Sequence, residues 1–163
     1  MAVSYLGLGS NIGEREINLL KALSLINQES PLIKTSSIYE TKPIGYEKQA
    51  SFLNMVCQVS TKLKPVDLLR SVKQIEKILG RKPSFRNAPR IIDIDILFYD
   101  NKIMNIKNLA IPHPRLVERA FVLIPLAEIA PKLVHPEQGR SITELVHKVT
   151  GQKGVRLFDK EVI

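Results

Sequence analysis

Between Arg90 and Asp100 the chain reads R-I-I-D-I-D-I-L-F-Y-D. The order alternates with a period of two, the period of a strand, in which successive side chains point to opposite faces. A strand over residues 91–99 packs Ile92, Ile94, Ile96 and Phe98 on one face and sets Asp93 and Asp95 together on the other. The rise of an extended chain separates the two aspartate Cα atoms by roughly 6.6 Å. Carboxylates that close raise each other's proton affinity unless positive charge lies nearby. A hard divalent cation answers that need: Mg2+ takes oxygen ligands, commonly one or two carboxylates plus substrate phosphates. Two solvated aspartates on a half-exposed strand satisfy the same pattern, so the neighbouring residues have to decide.

Those neighbours are basic. Arg81, Lys82, Arg86 and Arg90 precede the aspartates, and guanidinium groups pair bidentately with phosphate oxygens. Cations around a polyphosphate are how phosphoryl-transfer sites neutralise charge. The formal net charge of +8 extends the theme to the whole chain. A surface of that sign attracts polyanions, nucleic acid and nucleoside triphosphates alike. Neither G-x-x-x-x-G-K-[ST] nor G-x-G-x-x-G occurs, so no glycine-rich loop of either kind holds a nucleotide here.

The 163 residues suffice for one domain with a core, and residues 1–163 are expected to form one. No apolar run approaches the ~20 residues of a membrane span, and the start MAVSYLGLGS lacks the regions of a signal peptide. The single cysteine, Cys57, is expected to be a packed thiol in a reducing cytoplasm. Along the chain the pattern predicts a strand over 4–9 and a turn at G-S-N. A helix over 12–28 follows, begun by a capping box of Asn11 and Glu14. Strands over 33–40 and 52–61 come next. The second puts Phe52, Asn54 and Val56 on one face and Leu53, Met55, Cys57 and Val59 on the other. Pro65 opens a second helix with a stripe of Leu68, Val72, Ile75 and Leu79, stopped by Gly80. After the aspartate strand come a short strand at 102–104, an apolar segment at 121–129, a helix near 141–150 and a docked tail. The expected fold is α+β: a ferredoxin-like βαββαβ core with an antiparallel sheet covered by helices, and a C-terminal extension.

Several separated motifs resemble one family, the 6-hydroxymethyl-7,8-dihydropterin pyrophosphokinases of folate biosynthesis. They are Y-L-G-L-G-S-N (5–11), S-S-I-Y-E-T-K-P-I-G (36–45), F-L-N (52–54), I-E (75–76) with G-R (80–81), P-R-I-I-D-I-D-I-L (89–97), I-P-H-P-R (111–115) and R-A-F-V-L-I-P-L-A-E-I-A-P (119–131). The resemblance implies Mg-dependent transfer of pyrophosphate from ATP to the pterin hydroxymethyl group, with release of AMP. It implies two Mg2+ ions on Asp93 and Asp95, and phosphate contacts for Arg81, Arg90 and His113, assisted by Arg119 and Arg86. It places the nucleotide near Glu76 and the adenine near Ile96 and Ile111, held by backbone groups. For the pterin it implies Phe52 and Phe121 as flanking rings, with Asn54, Thr41, Pro43 and Ile44 reading the ring edge.

A flat heteroaromatic with an amide-like edge does need rings and complementary hydrogen bonds, and Phe52 with Asn54 on one strand face supplies both kinds of group. Glu76, near a helix C-terminus, opposes the helix dipole and calls for a partner such as Arg81 or Lys73. One departure stands out. The family's basic loop usually reads R-W-G-P-R, whereas this chain has R-N-A-P-R and no tryptophan. Asn87 cannot supply the stacking area of that aromatic, and Phe85 is the nearest substitute. The expected partners are small molecules, pterin and ATP, with no nucleic acid and no membrane, and the expected state is a monomer in the cytoplasm. Two rivals stay open: a basic nucleic-acid-binding module, and an inactive pterin- or nucleotide-binding relative.

Overall fold

The structure, a computed structural model, describes residues 1–42, 51–82 and 89–158. The first strand, β1 (Ala2–Ser10), leads into helix α1 (Arg15–Glu29), then β2 (Leu32–Thr35), β3 (Tyr39–Thr41) and β4 (Phe52–Thr61). Helix α2 (Pro65–Ile78) and strand β5 (Asp93–Tyr99) complete this part. A β6–β7 hairpin (Met104–Ile106, Leu109–Ile111), a 3-10 turn (Leu116–Glu118), α3 (Ala120–Ile129), α4 (Ile142–Lys148), a second 3-10 turn (Gln152–Gly154) and β8 (Val155–Leu157) follow.

The main sheet has six strands in the order β5-β1-β4-β3-β8, with β2 also on β4, and every pairing is antiparallel. Both faces are covered. On one, Leu6, Leu8, Leu53, Met55, Cys57, Val59, Ile94 and Ile96 pack against Leu19, Leu23 and Ile26 of α1 and Leu68, Val72 and Ile75 of α2. On the other, Tyr5, Val56, Leu97 and Phe98 pack against Val122, Leu123 and Leu126 of α3 and Ile142 and Leu145 of α4. The alternation expected for β4 is therefore present, and Cys57 is buried, its thiol pushed up to about 12 by burial. Among the described residues no helix is long and apolar enough to cross a membrane.

Several local expectations change. Helix α1 starts at Arg15, and its N-cap, Glu14, makes no side-chain cap bond. Asn11 instead clasps Arg90 from both sides: its amide donates to Arg90 O at 3.0 Å and its Oδ1 accepts from Arg90 N at 2.7 Å. The strand expected over 33–40 is broken into β2 and β3 at Ser36–Ile38, where Ser36 bonds Val56 through its amide and its hydroxyl oxygen. The aspartate strand begins at Asp93, and a bulge shifts it: Tyr5 faces Phe98 but Leu6 faces Ile96, so Leu97 is the extra residue. Phe98 consequently leaves the isoleucine face and joins the α3–α4 side, while Tyr99 takes the other. The short strand expected at 102–104 lies at Met104–Ile106. Leu79 is only partly buried. The tail contributes a strand, β8, at the sheet edge beside β3.

Candidate active site

The site lies where β5 and β1 meet the α3 side of the sheet. A cavity of about 230 Å³ is lined there by Gly7 and Gly9 of β1, Thr41, Phe52 and Asn54 of β3 and β4, Asp93 and Asp95 of β5, and Arg90, Arg119 and Phe121. Strand alternation delivers these groups. Asp93 and Asp95 point away from the isoleucine core, as do Phe52 and Asn54, and the register Gly9↔Asp93 and Gly9↔Asn54 brings the two pairs to either side of Gly9. A Cβ on Gly9 would stand 3.0 Å from Asn54 Oδ1 and 3.5 Å from Phe52 Cδ1. The glycine therefore makes the room that the amide and ring occupy. Gly7 and Gly9, both within the Y-L-G-L-G-S-N motif, line the cavity although no role was expected of them. The signal was present, since two glycines two apart inside a strand mark a close approach.

At the ring end, Asn54 Nδ2 donates to Thr41 Oγ1 at 2.7 Å, which fixes the amide's orientation. Both residues are buried. Phe121, in the first turn of α3, has the Arg119 guanidinium over its ring at 5.6 Å.

At the acidic end, cations surround Asp93. Arg81 Nη1 lies 2.8 Å from Asp93 Oδ1, and Arg90 Nη1 lies 3.3 Å from Oδ2. Among the described residues Asp95 has no such salt bridge, and its carboxyl is pushed up to about 6, first by desolvation and then by the charge of Asp93, against the pull of Lys73 and Arg119. Such a group favours a cation beside it.

Glu76 organises the far side. It is 4% exposed, and its Oε2 accepts from Ile94 N at 2.7 Å, meets Arg81 Nη1 at 2.8 Å and stands 3.4 Å from Lys73 Nζ. Among the described strands β5 lies at the sheet edge, so outward amides such as that of Ile94 find no strand partner there, and a helix carboxylate takes this one. Glu76 thus has the partners its position called for, and it is buried, not a surface ion pair. The turn after α2 sets Arg81: Gly80 adopts φ +101°, and the Arg81 amide donates to Glu76 O at 2.9 Å.

A second, wider cavity of about 820 Å³ is lined by Lys73, Glu76, Lys77, Arg81, Lys82 and Arg90, with Ile12, Gly80, Pro89 and Ile91. Arg90 lines both cavities. His113 is half-buried. Its Nδ1 accepts from Arg115 N at 3.2 Å, which places the ring proton on Nε2. Burial, then Arg119, lowers its pKa to about 4, so the imidazole is neutral at pH 7.

The structure thus gathers Thr41, Phe52, Asn54, Asp93, Asp95, Arg90, Arg119 and Phe121 around one cavity, and Glu76 and Arg81 around the next. Ile96 and Ile111 are buried in the α1–α2 core, and their side chains line neither cavity. Pro43, Ile44 and Arg86, with Phe85 and Asn87, lie outside the described residues. Lys42, Lys73, Arg115 and Glu118 also line the cavities; Lys42 and Arg115 lie inside the motifs 36–45 and 111–115, whereas Lys73 and Glu118 belong to no motif that points to them. Among the described residues no three His, Cys, Asp or Glu are placed to hold a metal ion. A divalent ion here fits as one held by the Asp93–Asp95 pair together with the oxygens of a bound phosphate.

The family model for 7,8-dihydro-6-hydroxymethylpterin-pyrophosphokinase matches residues 5–131. The chain is 43% identical over 161 residues to the 2-amino-4-hydroxy-6-hydroxymethyldihydropteridine pyrophosphokinase of Bacillus subtilis, covering 98% of this chain and 92% of the relative. It is 47% identical over 134 residues to the folic acid synthesis protein FOL1 of Dictyostelium discoideum, covering 82% of this chain but only 20% of that longer protein. Among solved structures, Plasmodium falciparum HPPK-DHPS wild type with pteroate superposes with a TM-score of 0.75 at 19% identity, over 90% of this chain and 42% of the other, a likeness of fold. With the model spanning most of its residues and a bacterial relative aligned nearly end to end, the chain belongs to the 7,8-dihydro-6-hydroxymethylpterin-pyrophosphokinase family.

Proposed function

We propose that this chain, as a single domain, transfers pyrophosphate from ATP to the hydroxymethyl group of 6-hydroxymethyl-7,8-dihydropterin and releases AMP. The observation that carries this reading is the junction of two unlike cavities. One offers rings and a fixed amide, the other a cluster of cations, and they share Arg90 beside the aspartate pair. A flat heterocycle and a polyphosphate bound in these places would meet at Asp93 and Asp95.

In this mechanism Phe52 and Phe121 hold the pterin ring, while Asn54 and Thr41, already bonded to each other, read its edge. Arg81, Arg90 and Arg119 donate to phosphate oxygens, and neutral His113 offers its Nε2–H. Glu76 serves the nucleotide end by holding Arg81 and the Ile94 amide. Mg2+ held by Asp93 and Asp95 would supply charge neutralisation on the triphosphate. The new bond joins the hydroxymethyl oxygen to the β-phosphorus, the hydroxyl proton passes to solvent, the bond from that phosphorus to the α–β bridging oxygen breaks, and AMP departs. Placement and charge compensation by these side chains lower the barrier, without a dedicated general base. The reducing cytoplasm suits an enzyme whose single thiol is buried.

The test is direct. Incubation with ATP, Mg2+ and the reduced hydroxymethylpterin should yield AMP and the pterin diphosphate, and AMP should require the pterin. Asp93→Ala should lower turnover by at least about a hundredfold with the fold intact. AMP release near the wild-type rate from that variant would sink the role of the aspartate pair.

A further inference from the structure

Strand β3 is three residues long and carries Thr41, the partner of Asn54 in the ring-binding cavity. A strand that short is marginal unless both of its edges are paired. One edge is held by β4, through Tyr39↔Asn54, Glu40↔Leu53 and Thr41↔Phe52. The other is held by the C-terminal strand β8, through Tyr39↔Leu157, Glu40↔Arg156 and Thr41↔Val155. β8 lies beyond residue 131, where the family model's match ends.

More than the ladder ties this tail down. Phe158 N donates to Ile38 O at 2.9 Å, and the Phe158 side chain packs against the α1–α2 core. Upstream, Gln152 Nε2 donates to Val146 O at 2.6 Å and Val149 O at 3.3 Å, anchoring the tail to the end of α4. On the face opposite Thr41, the Glu40 carboxylate stands between two arginines. Arg15 Nη1 is 3.0 Å from Oε2, and Arg156 Nη2 is 3.8 Å from Oε1. The same Arg15 nitrogen donates to Ser51 O at 2.7 Å, so α1 ties the strand bearing Thr41 to the start of β4. The acidic pair and the basic cavity lie at the other end of the sheet order, on β5 and α2, and the tail makes none of the contacts described there.

We infer that the C-terminal segment 152–158 is a positioning strap for the pterin site: by closing the outer edge of β3 it fixes Thr41, and through it the Asn54 amide, while leaving the nucleotide end untouched. None of residues 152–158 lines either cavity; the segment reaches the site only through β3. Its contribution is therefore to pterin affinity and not to chemistry on the triphosphate. This inference rests on the proposed pterin transfer.

The experiment compares the full chain with a chain ending at Gly151 and with Phe158→Pro, which removes the amide that bonds Ile38 and the ring that packs on the core. KM for pterin and for ATP are measured separately, together with pterin binding by titration calorimetry. Pterin KM and Kd should rise about five- to tenfold in both variants, the effect of loosening one site hydrogen bond, while ATP KM stays within about twofold. Hydrogen exchange at the Glu40 amide, which the alternation of the ladder turns towards β8 because Phe158 N bonds Ile38 O, should accelerate in both. Unchanged pterin affinity in a folded variant, or equal losses for pterin and ATP, overturns the strap. If the shortened chain does not fold, Phe158→Pro decides by the same two measures. A full-length protein that makes no AMP with pterin present would sink the proposed function itself, whereas an active full chain whose variants keep pterin affinity would sink only the strap.

Discussion

Asp95 occupies a place that favours its neutral form. Desolvation and the neighbouring Asp93 push its carboxyl up to about 6, above the ordinary 3.8. The folded chain therefore binds that proton more tightly than the unfolded chain does. The ionised carboxylate costs stability in full above about pH 6, and the cost fades as pH falls towards 3.8. Asp95→Asn should accordingly raise stability at pH 7.5 by about 1–3 kcal/mol, show a much smaller gain at pH 4.5, and abolish turnover. Thermal melts at the two pH values check it, and an equal gain at both would mean that ionisation is not the cause. Stability lost at a site where charge must sit is the expected mark of function. At this scale the sequence was informative where chemistry depends on residue type at fixed spacing, as for Asp93 with Asp95 and Phe52 with Asn54. It was silent on which oxygen of Glu76 bonds what, because Arg81, Ile94 and Lys73 reach that atom from separate elements.

The elements that build the site are ordinary, and their ends do the placing. Helix α2 stops at a residue with φ +101°, Gly80, and the turn it permits sends Arg81 back towards Glu76 and Asp93. Alanine at this position adopts that backbone only with strain, and its Cβ would meet Ile91 Cδ1 at 3.4 Å. Gly80→Ala should cost about 1–2 kcal/mol, read as a lower urea midpoint, and should weaken ATP binding more than pterin binding because Arg81 is displaced. A variant that loses stability but keeps ATP affinity would show that Arg81 finds its place by another route. The helix stop was readable from Gly80 itself, whereas the start of α1 was not. Asn11 has the residue type and spacing of a cap, but tertiary structure draws it to Arg90 instead. The bulge at Leu97 was likewise hidden, since an unbroken apolar run I-L-F-Y reads the same with or without an extra residue.

Over the whole molecule, the net charge of +8 becomes useful because much of it is gathered. Lys73, Lys77, Arg81, Lys82 and Arg90 line one cavity with Glu76 as the only acid among the described lining residues, while the cavity around Phe52 and Asn54 mixes both signs with apolar groups. Screening should therefore act unequally: raising salt from about 0.05 to 0.5 M, which shortens the Debye length to a few Å, should weaken ATP binding several-fold and leave pterin binding nearly constant. Parallel titrations of the two ligands check this, and equal weakening would argue that the basic cavity is not the phosphate site. By itself the sequence determined the strand alternation that separates carboxylates from isoleucines, the helix stripes, the acidic pair and the ring-plus-amide pair. These follow from local periodicity and residue chemistry, which need no knowledge of distant chain. Only the tertiary structure decided that Gly9 would stand between Asn54 and Asp93, that Glu76 would take up an edge-strand amide, and that a C-terminal strand would close the edge beside Thr41. Each depends on strand register and on contacts between residues far apart in the chain, which no local pattern encodes.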